Sequence, residues 1–240
     1  VALAVFARSP LVEARQRGLT GKAQALFRFP RPSGALEDRA DLHLFADGPL
    51  GDICPEGFQL HAQSGGGFRT RINATIETLA DAGYEKIILV GSDCPSLSAR
   101  DLDAAYASLQ SRRAVIGPDH KGGMYLIGLR VADRRLLENL PWQRNRDFEA
   151  LRGRFDPGEV ALLPVKQDVD TTGDLELLAR GDPRTRAALA AIARRVLLAI
   201  APLPGELRRA ASGVCRRLWI RRMLRYLHAP PRAQTAPARP

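Results

Sequence analysis

Ile87-Ile88-Leu89-Val90-Gly91-Ser92-Asp93-Cys94-Pro95 is the stretch on which the reading of this chain turns. The apolar run Ile87–Val90 reads as a buried strand. Its end in a glycine, a small hydroxyl residue and an aspartate delivers one carboxylate to the carboxyl edge of a sheet, where open α/β sheets bind their ligands. Pro95 fixes its own φ and keeps Cys94 extended, so Asp93 projects from a stiff turn. A single carboxylate there suits a hard divalent cation that also takes phosphate oxygens. A helix-start aspartate or a solvated turn is the alternative on these residues alone.

Strands and helices alternate on both sides of this stretch. Val1–Phe6 is an apolar run that ends in the polar loop Ala7-Arg8-Ser9-Pro10. A weakly helical pattern over Lys22–Phe29 is broken by Pro30, Pro32 and Gly34. Leu42–Ala46 and Phe58–Ala62 read as strands, and Ile72, Ile76, Leu79 and Ala80 recur at helical spacing until Gly83. Ser98 is a plausible N-cap for a helix carrying Leu102, Ala105, Tyr106 and Leu109. Ala114–Gly117 and Met124–Leu129 are strands, Val160–Val165 is the last strand, and a helix is expected from Thr172 through Leu178. The alternation predicts an α/β fold: one mostly parallel sheet covered by helices on both faces.

Composition separates a body from an extension. Residues 181–240 hold thirteen arginines, no lysine and only Asp182 and Glu206 as acids, a net +11. The whole chain of 240 residues carries +10, which leaves −1 for residues 1–180, so the basicity says nothing about the body's ligand. The expected organisation is a domain over 1–180, an arginine-rich helical extension over 181–228 and a Pro/Ala-rich disordered tail over 229–240. In the extension, Leu207, Ala211, Val214 and Leu218 share one helical face. Trp219, Ile220, Met223, Leu224 and Leu227 gather on the other. A break at that swap, or a helix wedged between two partners, accounts for it. The body, a second subunit or an anionic membrane surface are the candidate partners. Nucleic acid is disfavoured, because aromatic and basic residues do not interleave.

Cys54, Cys94 and Cys215 form neither a zinc spacing nor a disulfide framework, which fits a reducing cytoplasm. No apolar run approaches a membrane span, and Val1–Phe6 is too short for a signal-peptide core. A first residue other than methionine leads us to expect that a few residues precede Val1. The expectation is a cytoplasmic protein, with the basic extension able to rest on the inner membrane face.

Polar turns follow three strands: Ser92-Asp93, Asp119-His120-Lys121, and Asp168-Val169-Asp170. On a parallel sheet they converge on one edge. Asp93 with Asp168 or Asp170 is then a candidate site for Mg²⁺ or Mn²⁺, neutralising a diphosphate leaving group. Asp168 and Asp170 share one face if that stretch is extended; alternatively Asp170 or Thr171 caps the next helix. Gly122-Gly123 either lets a ligand approach the backbone or forms a plain tight turn. Gly65-Gly66-Gly67 with Arg69 and Arg71 is a candidate anion site or a flexible loop with solvated arginines. Arg8 is a weaker phosphate candidate. His43 and His61, in apolar strand patterns, read as structural, and Cys94 as a small packed residue.

Taken in order, these motifs resemble the glycosyltransferase-A-fold transferases labelled radical-SAM/selenodomain-associated transferase 1, formerly a domain of unknown function. Molybdenum-cofactor and phospholactate nucleotidyltransferases are more distantly similar. The resemblance rests on Phe6-Ala7-Arg8-Ser9-Pro10, Gln63 with the glycines and Arg71, Gly91–Pro95, Gly117-Pro118, Gly122–Leu129, Pro141-Trp142 and Asp168–Thr171, and spans about residues 1–180. It implies a nucleotide-diphospho-sugar transferase fold, with Asp93 as the metal- or nucleotide-binding and catalytic carboxylate and Asp168 or Asp170 beside it. The implied partner is a nucleotide or nucleotide-sugar, used by a glycosyl transferase or by a nucleotidyltransferase. A non-catalytic descendant acting through the basic extension is the rival.

Three departures qualify the resemblance. The family's glycine followed by Lys-Thr-Arg-Leu is replaced by Glu13-Ala14-Arg15-Gln16-Arg17-Gly18-Leu19. Lys121 stands where an aspartate precedes the Gly-Gly pair, and there a cation would repel a metal but hold a phosphate. Gln143-Arg144 replaces the Ser-Thr after Pro-Trp. Together they imply a divergent substrate or weakened activity.

Overall fold

A computed structural model of the chain describes residues 1–9, 31–48, 56–170 and 174, most of the compact unit Val1–Leu175. The loop at 13–19, the helical pattern at 22–29, the helix expected from 172 and everything from 181 onward lie outside the described residues.

Seven strands form one sheet: β1 (Ala2–Ala7), β2 (Asp41–Ala46), β3 (Phe58–Ala62), β4 (Lys86–Gly91), β5 (Ala114–Pro118), β6 (Met124–Arg130) and β7 (Val160–Leu162). Their order is β3-β2-β1-β4-β6-β5-β7. Every pair is parallel except those made by β6, which runs antiparallel to both β4 and β5. The sheet is mostly parallel, as the alternation predicts.

Strand order reverses between β1 and β4, since the chain builds outward to β3 and then returns to the other side of β1. Such a switch point opens a crevice at the strands' carboxyl ends. Arg8 leaves β1 and Asp93 follows β4 at that crevice. Because β6 is reversed, its first residues, from Met124, reach the same edge.

Both faces are covered. Leu3, Val5, Ala7, Ile88 and Val90 pack with Leu102, Ala105 and Leu109 of α2 (Ala99–Ser111). Ala2, Ala4, Ile87 and Leu89 pack with Ile72, Ile76 and Leu79 of α1 (Phe68–Asp81) and with Leu151 of α3 (Asp147–Arg152). Strand alternation thus sends neighbouring side chains into separate apolar layers. Burying each leucine or isoleucine contributes roughly 1.5–3 kcal/mol.

Ser98 caps α2 in a reciprocal box: its Oγ accepts from the Asp101 N–H, and Asp101 Oδ2 accepts from the Ser98 N–H at 2.8 Å. Lys166 pairs with Asp101 at 3.0 Å and donates to the Ser96 carbonyl at 3.0 Å, tying the segment after β7 to the turn after β4. β7 ends at Leu162, short of the expected Val165: Leu163 still donates to Ile116, but Pro164 has no N–H to continue the ladder. The 3-10 segment Val131–Leu137 and helix α3 are not foreseen by the periodicity.

Candidate functional site

A cleft of about 330 Å³ lies on the α1 face of the carboxyl edge, lined among others by Arg8, Arg71, Asp93, Asp119, Trp142, Asp147, Asp168 and Asp170. Three of the strand-end turns therefore do meet.

The carboxylates are placed by backbone. Asp93 folds back over Gly91, where a Cβ would stand 2.6 Å from its Oδ1, so the glycine of the motif is the space the carboxylate occupies. The Asp93 carbonyl accepts from Val169 at 2.8 Å, and Val169 is fully buried, which holds Asp168 and Asp170 against the Asp93 turn. Asp119 Oδ1 accepts from the N–H groups of Lys121 (2.6 Å) and Gly123 (2.9 Å). Asp168 Oδ1 is buried and has no hydrogen-bond partner among the described residues. Burial, then the charges of Asp93 and Asp119, push the Asp168 carboxyl far above the ordinary range.

Lys121 takes a different role from the expected phosphate contact. Its Nζ donates to Asp170 Oδ2 and to Asp174 Oδ2, both at 2.9 Å, and it does not line the cleft. Burial pulls its pKa down, but the bonds to Asp174 and Asp170 outweigh that and hold the ammonium above its usual value. That single ammonium is shared between Asp170 and Asp174, so it offsets only part of the Asp170 charge, and Asp170 lines the acidic wall with Asp93, Asp119 and Asp168. Gly122 is also outside the lining, whereas Gly123 is in it. Gly122 has φ +92°, and a Cβ there would fall on the Asn145 carbonyl. The glycine pair is a packing device for the neighbouring loop as well as a turn.

Arg71 Nη1 donates to Gln63 Oε1 at 3.1 Å and faces Asp47 at 3.7 Å, while its Nε is buried without a partner among the described residues. Gln63 Nε2 in turn donates to the carbonyls of Ala7 and Phe45, and Asp47 accepts from the Ser9 N–H at 2.6 Å. Arg71 is thus fixed at the cleft by the ends of β1, β2 and β3. Arg69, expected to share an anion site, donates instead to the Leu140 carbonyl at 3.1 Å.

The fold is matched among solved structures. A protein of Desulfovibrio desulfuricans G20 designated a nucleotide-diphospho-sugar transferase superposes with a TM-score of 0.62 at 24% identity, over 81% of this chain and 97% of that one. The chain has the nucleotide-diphospho-sugar transferase fold. A cytidylyltransferase of Leptospira borgpetersenii is similar with a TM-score of 0.52 at 15% identity, over 75% of this chain and 84% of its own. A homologue, in Mycobacterium sp. strain JC1, of a Mycobacterium tuberculosis protein gives 0.50 at 18%, over 80% and 97%. Residues 34–144 match the family described as "Uncharacterized protein conserved in bacteria (DUF2064)", which bears out over that span the resemblance drawn from the motifs. No curated protein matches the chain by sequence.

In this fold a wall of which the sequence motifs mark only Trp142 and Gln143, and not Asn145 or Asp147, completes the cleft. Trp142, Gln143, Asn145 and Asp147 line it, and Gln143 (φ 64°) and Asn145 (φ 56°) both lie in the left-handed region. Phe148 donates to the Gly122 carbonyl at 3.1 Å, docking the loop on the glycine turn. Asp147 Oδ2 accepts from the Gln143 N–H at 3.0 Å, and burial raises the Asp147 carboxyl. Phe6, Phe68 and Trp142 form an edge-to-face row with 5.6 Å between successive ring centroids. The only signal in the sequence is Pro141-Trp142 and an acid just before the apolar pair Phe148 and Leu151.

Other readings hold where the structure speaks to them. His43 bonds His61 and the Tyr84 hydroxyl, each at 3.0 Å, away from the cleft, and burial followed by His61 lowers its pKa. Cys94 is buried, and that burial, with Asp168 nearby, pushes its thiol up to about 12, so it is no nucleophile.

Proposed function

We propose that the chain is a metal-assisted transferase acting on a nucleotide-activated sugar or a related nucleotide, bound in the cleft at the β1–β4 switch point. The observation that carries this reading is the buried Asp168 carboxyl crowded by Asp93 and by Asp119, to which a side-chain hydrogen bond joins it. Carboxyl groups crowded in this way are costly to ionise together unless a cation offsets their charge. The donor set fits Mg²⁺ or Mn²⁺, which favour carboxylate oxygens and complete their shell with water and phosphate. Among the described residues no three acidic, His or Cys side chains form a ready-made cage. The proposed cation would be held by Asp93 and Asp168, with a diphosphate completing its shell. When bound, it would neutralise the charge that develops on the leaving diphosphate.

The chain's own groups supply the rest. Arg71 offers a buried N–H to a phosphate oxygen, and Arg8 lines the cleft at the end of β1. Lys121, shared between Asp170 and Asp174, offsets part of the acidic charge beside the diphosphate. In glycosyl transfer the bond from the sugar's anomeric carbon to the phosphate oxygen breaks, and the acceptor oxygen bonds to that carbon as its proton leaves. In nucleotidyl transfer the same cleft would instead lose pyrophosphate from a nucleoside triphosphate.

Calorimetric titration with nucleoside triphosphates and nucleotide-sugars, with and without Mn²⁺, separates these routes. Metal-dependent binding of at least one ligand, lost in Asp93→Ala, is expected. No binding by any of them sinks the enzyme reading in favour of a non-catalytic descendant. For the basic extension we propose docking on an anionic membrane surface. Flotation of the full chain with anionic but not neutral liposomes is the expected result.

A further inference from the structure

The wall built by Trp142–Asp147 carries information that the carboxylate wall does not. Asp147 is 7% exposed and its carboxylate takes backbone hydrogen bonds from Gln143 and Arg144, yet its Oδ1 has no partner within hydrogen-bond geometry among the described residues, and the same holds for Trp142 Nε1. One is an acceptor and the other a donor, in residues that line the same cleft. Each orphan costs about 1–3 kcal/mol while unanswered. The loop that holds them is itself in sparsely populated backbone conformations at Gln143 and Asn145, a cost usually met at ligand sites.

We propose that this wall receives a neutral, hydroxyl-rich molecule of sugar type as the second substrate, and that it rejects anionic acceptors. The proposal rests on the transferase reading of the cleft. A hydroxyl both donates and accepts, so one polyol answers Asp147 Oδ1 and Trp142 Nε1 together after a small side-chain adjustment. A phosphate or carboxylate can accept from the indole but cannot donate to Asp147, and it meets like charge. The remaining cleft residues of this segment are the neutral amides Gln143 and Asn145, while Arg144 and Arg146 do not line the cleft. The wall therefore offers no cation to an anionic acceptor. An ammonium group would satisfy Asp147 but leave the indole N–H unanswered. The Phe6–Phe68–Trp142 row adds an apolar surface of the kind that packs on sugar C–H faces.

Saturation-transfer NMR on the full chain tests this with glucose, mannose and myo-inositol as neutral probes. Glucose 6-phosphate and glucuronate, which keep the hydroxyls and add negative charge, serve as anionic probes, and ethylammonium, which has no acceptor, as a cationic one. Neutral probes are expected to bind at least tenfold more tightly than the others. Asp147→Asn should weaken neutral binding by about 10- to 100-fold and narrow the gap to glucose 6-phosphate. Trp142→Phe, which keeps the ring and removes the N–H, should weaken it less. Equal or tighter binding of the anionic or cationic probes overturns the proposal, as does neutral binding indifferent to Asp147→Asn, whatever the nucleotide titrations show. Neutral binding that depends on Asp147 in a chain that binds no nucleotide would instead keep the wall's chemistry and remove the transferase reading.

Discussion

The two walls of the cleft are built by opposite means. The acidic wall is made of strand ends. Asp93 sits where an apolar strand stops, against a glycine whose missing Cβ is the space it fills, and Val169 locks Asp168 to it through one backbone bond. The Trp142–Asp147 wall is a loop, held by non-glycine residues at positive φ and by its docking on Gly122. The first wall is cheap in backbone energy and expensive in charge. The second is expensive in backbone and carries a single carboxylate, Asp147. On the proposed reading the cation and diphosphate belong to the first wall and an uncharged partner to the second.

Four changes would break or sharpen this comparison. The largest effect is expected from Asp93→Ala, which should reduce transfer by on the order of 10³-fold in kcat while leaving the melting temperature close to wild type. Unchanged turnover in a nucleotide-sugar hydrolysis or transfer assay would remove Asp93 from the site. Gly122→Ala comes next, since it forces a side chain into a left-handed position and onto the Asn145 carbonyl. A loss of roughly 2–4 kcal/mol is expected by urea unfolding, and a shift within error would mean the loop does not depend on that turn.

Asp168→Asn should act on stability in the opposite direction. The folded state raises the Asp168 carboxyl pKa. Its contribution is therefore complete below the unfolded value near 4 and erodes as pH rises toward the raised one. The amide has no such loss. In metal-free buffer the variant should gain about 1–3 kcal/mol over wild type at pH 8 and little at pH 4, by urea midpoints. A gap that stays flat with pH would contradict the repulsive carboxylate cluster. The smallest effect is expected from Lys121→Met: removing the cation beside Asp170 should tighten Mn²⁺ binding several-fold by calorimetry. Weaker binding would show that the ion pair supports the site instead of opposing the metal.

What the sequence revealed follows the same division. Ile87–Val90, Ser98 and Gly83 announce themselves locally, through an apolar run, an N-cap residue and a stop, and the structure has the strand, the cap and a φ of +87° at Gly83. The places of Asp93, after that strand, and of Arg71, at a helix start, were legible for that reason. The antiparallel insertion of β6 between β4 and β5 has no local signal, because strand order is settled by long-range pairing. Lys121 was read as a phosphate ligand because Asp170 and Asp174 lie some fifty residues away, and only the fold brings them to 2.9 Å. Asp147 stayed hidden because left-handed Gln143 and Asn145 place it, and neither residue type demands that conformation.

Asp93 and Asp168 are proposed to hold a divalent cation for a diphosphate, and anomalous diffraction from crystals grown with MnCl₂ and a nucleotide-sugar would locate it. A manganese peak is expected within coordination distance of both carboxylates and of the diphosphate. A nucleotide bound with no such peak, or a peak on other residues, would contradict it.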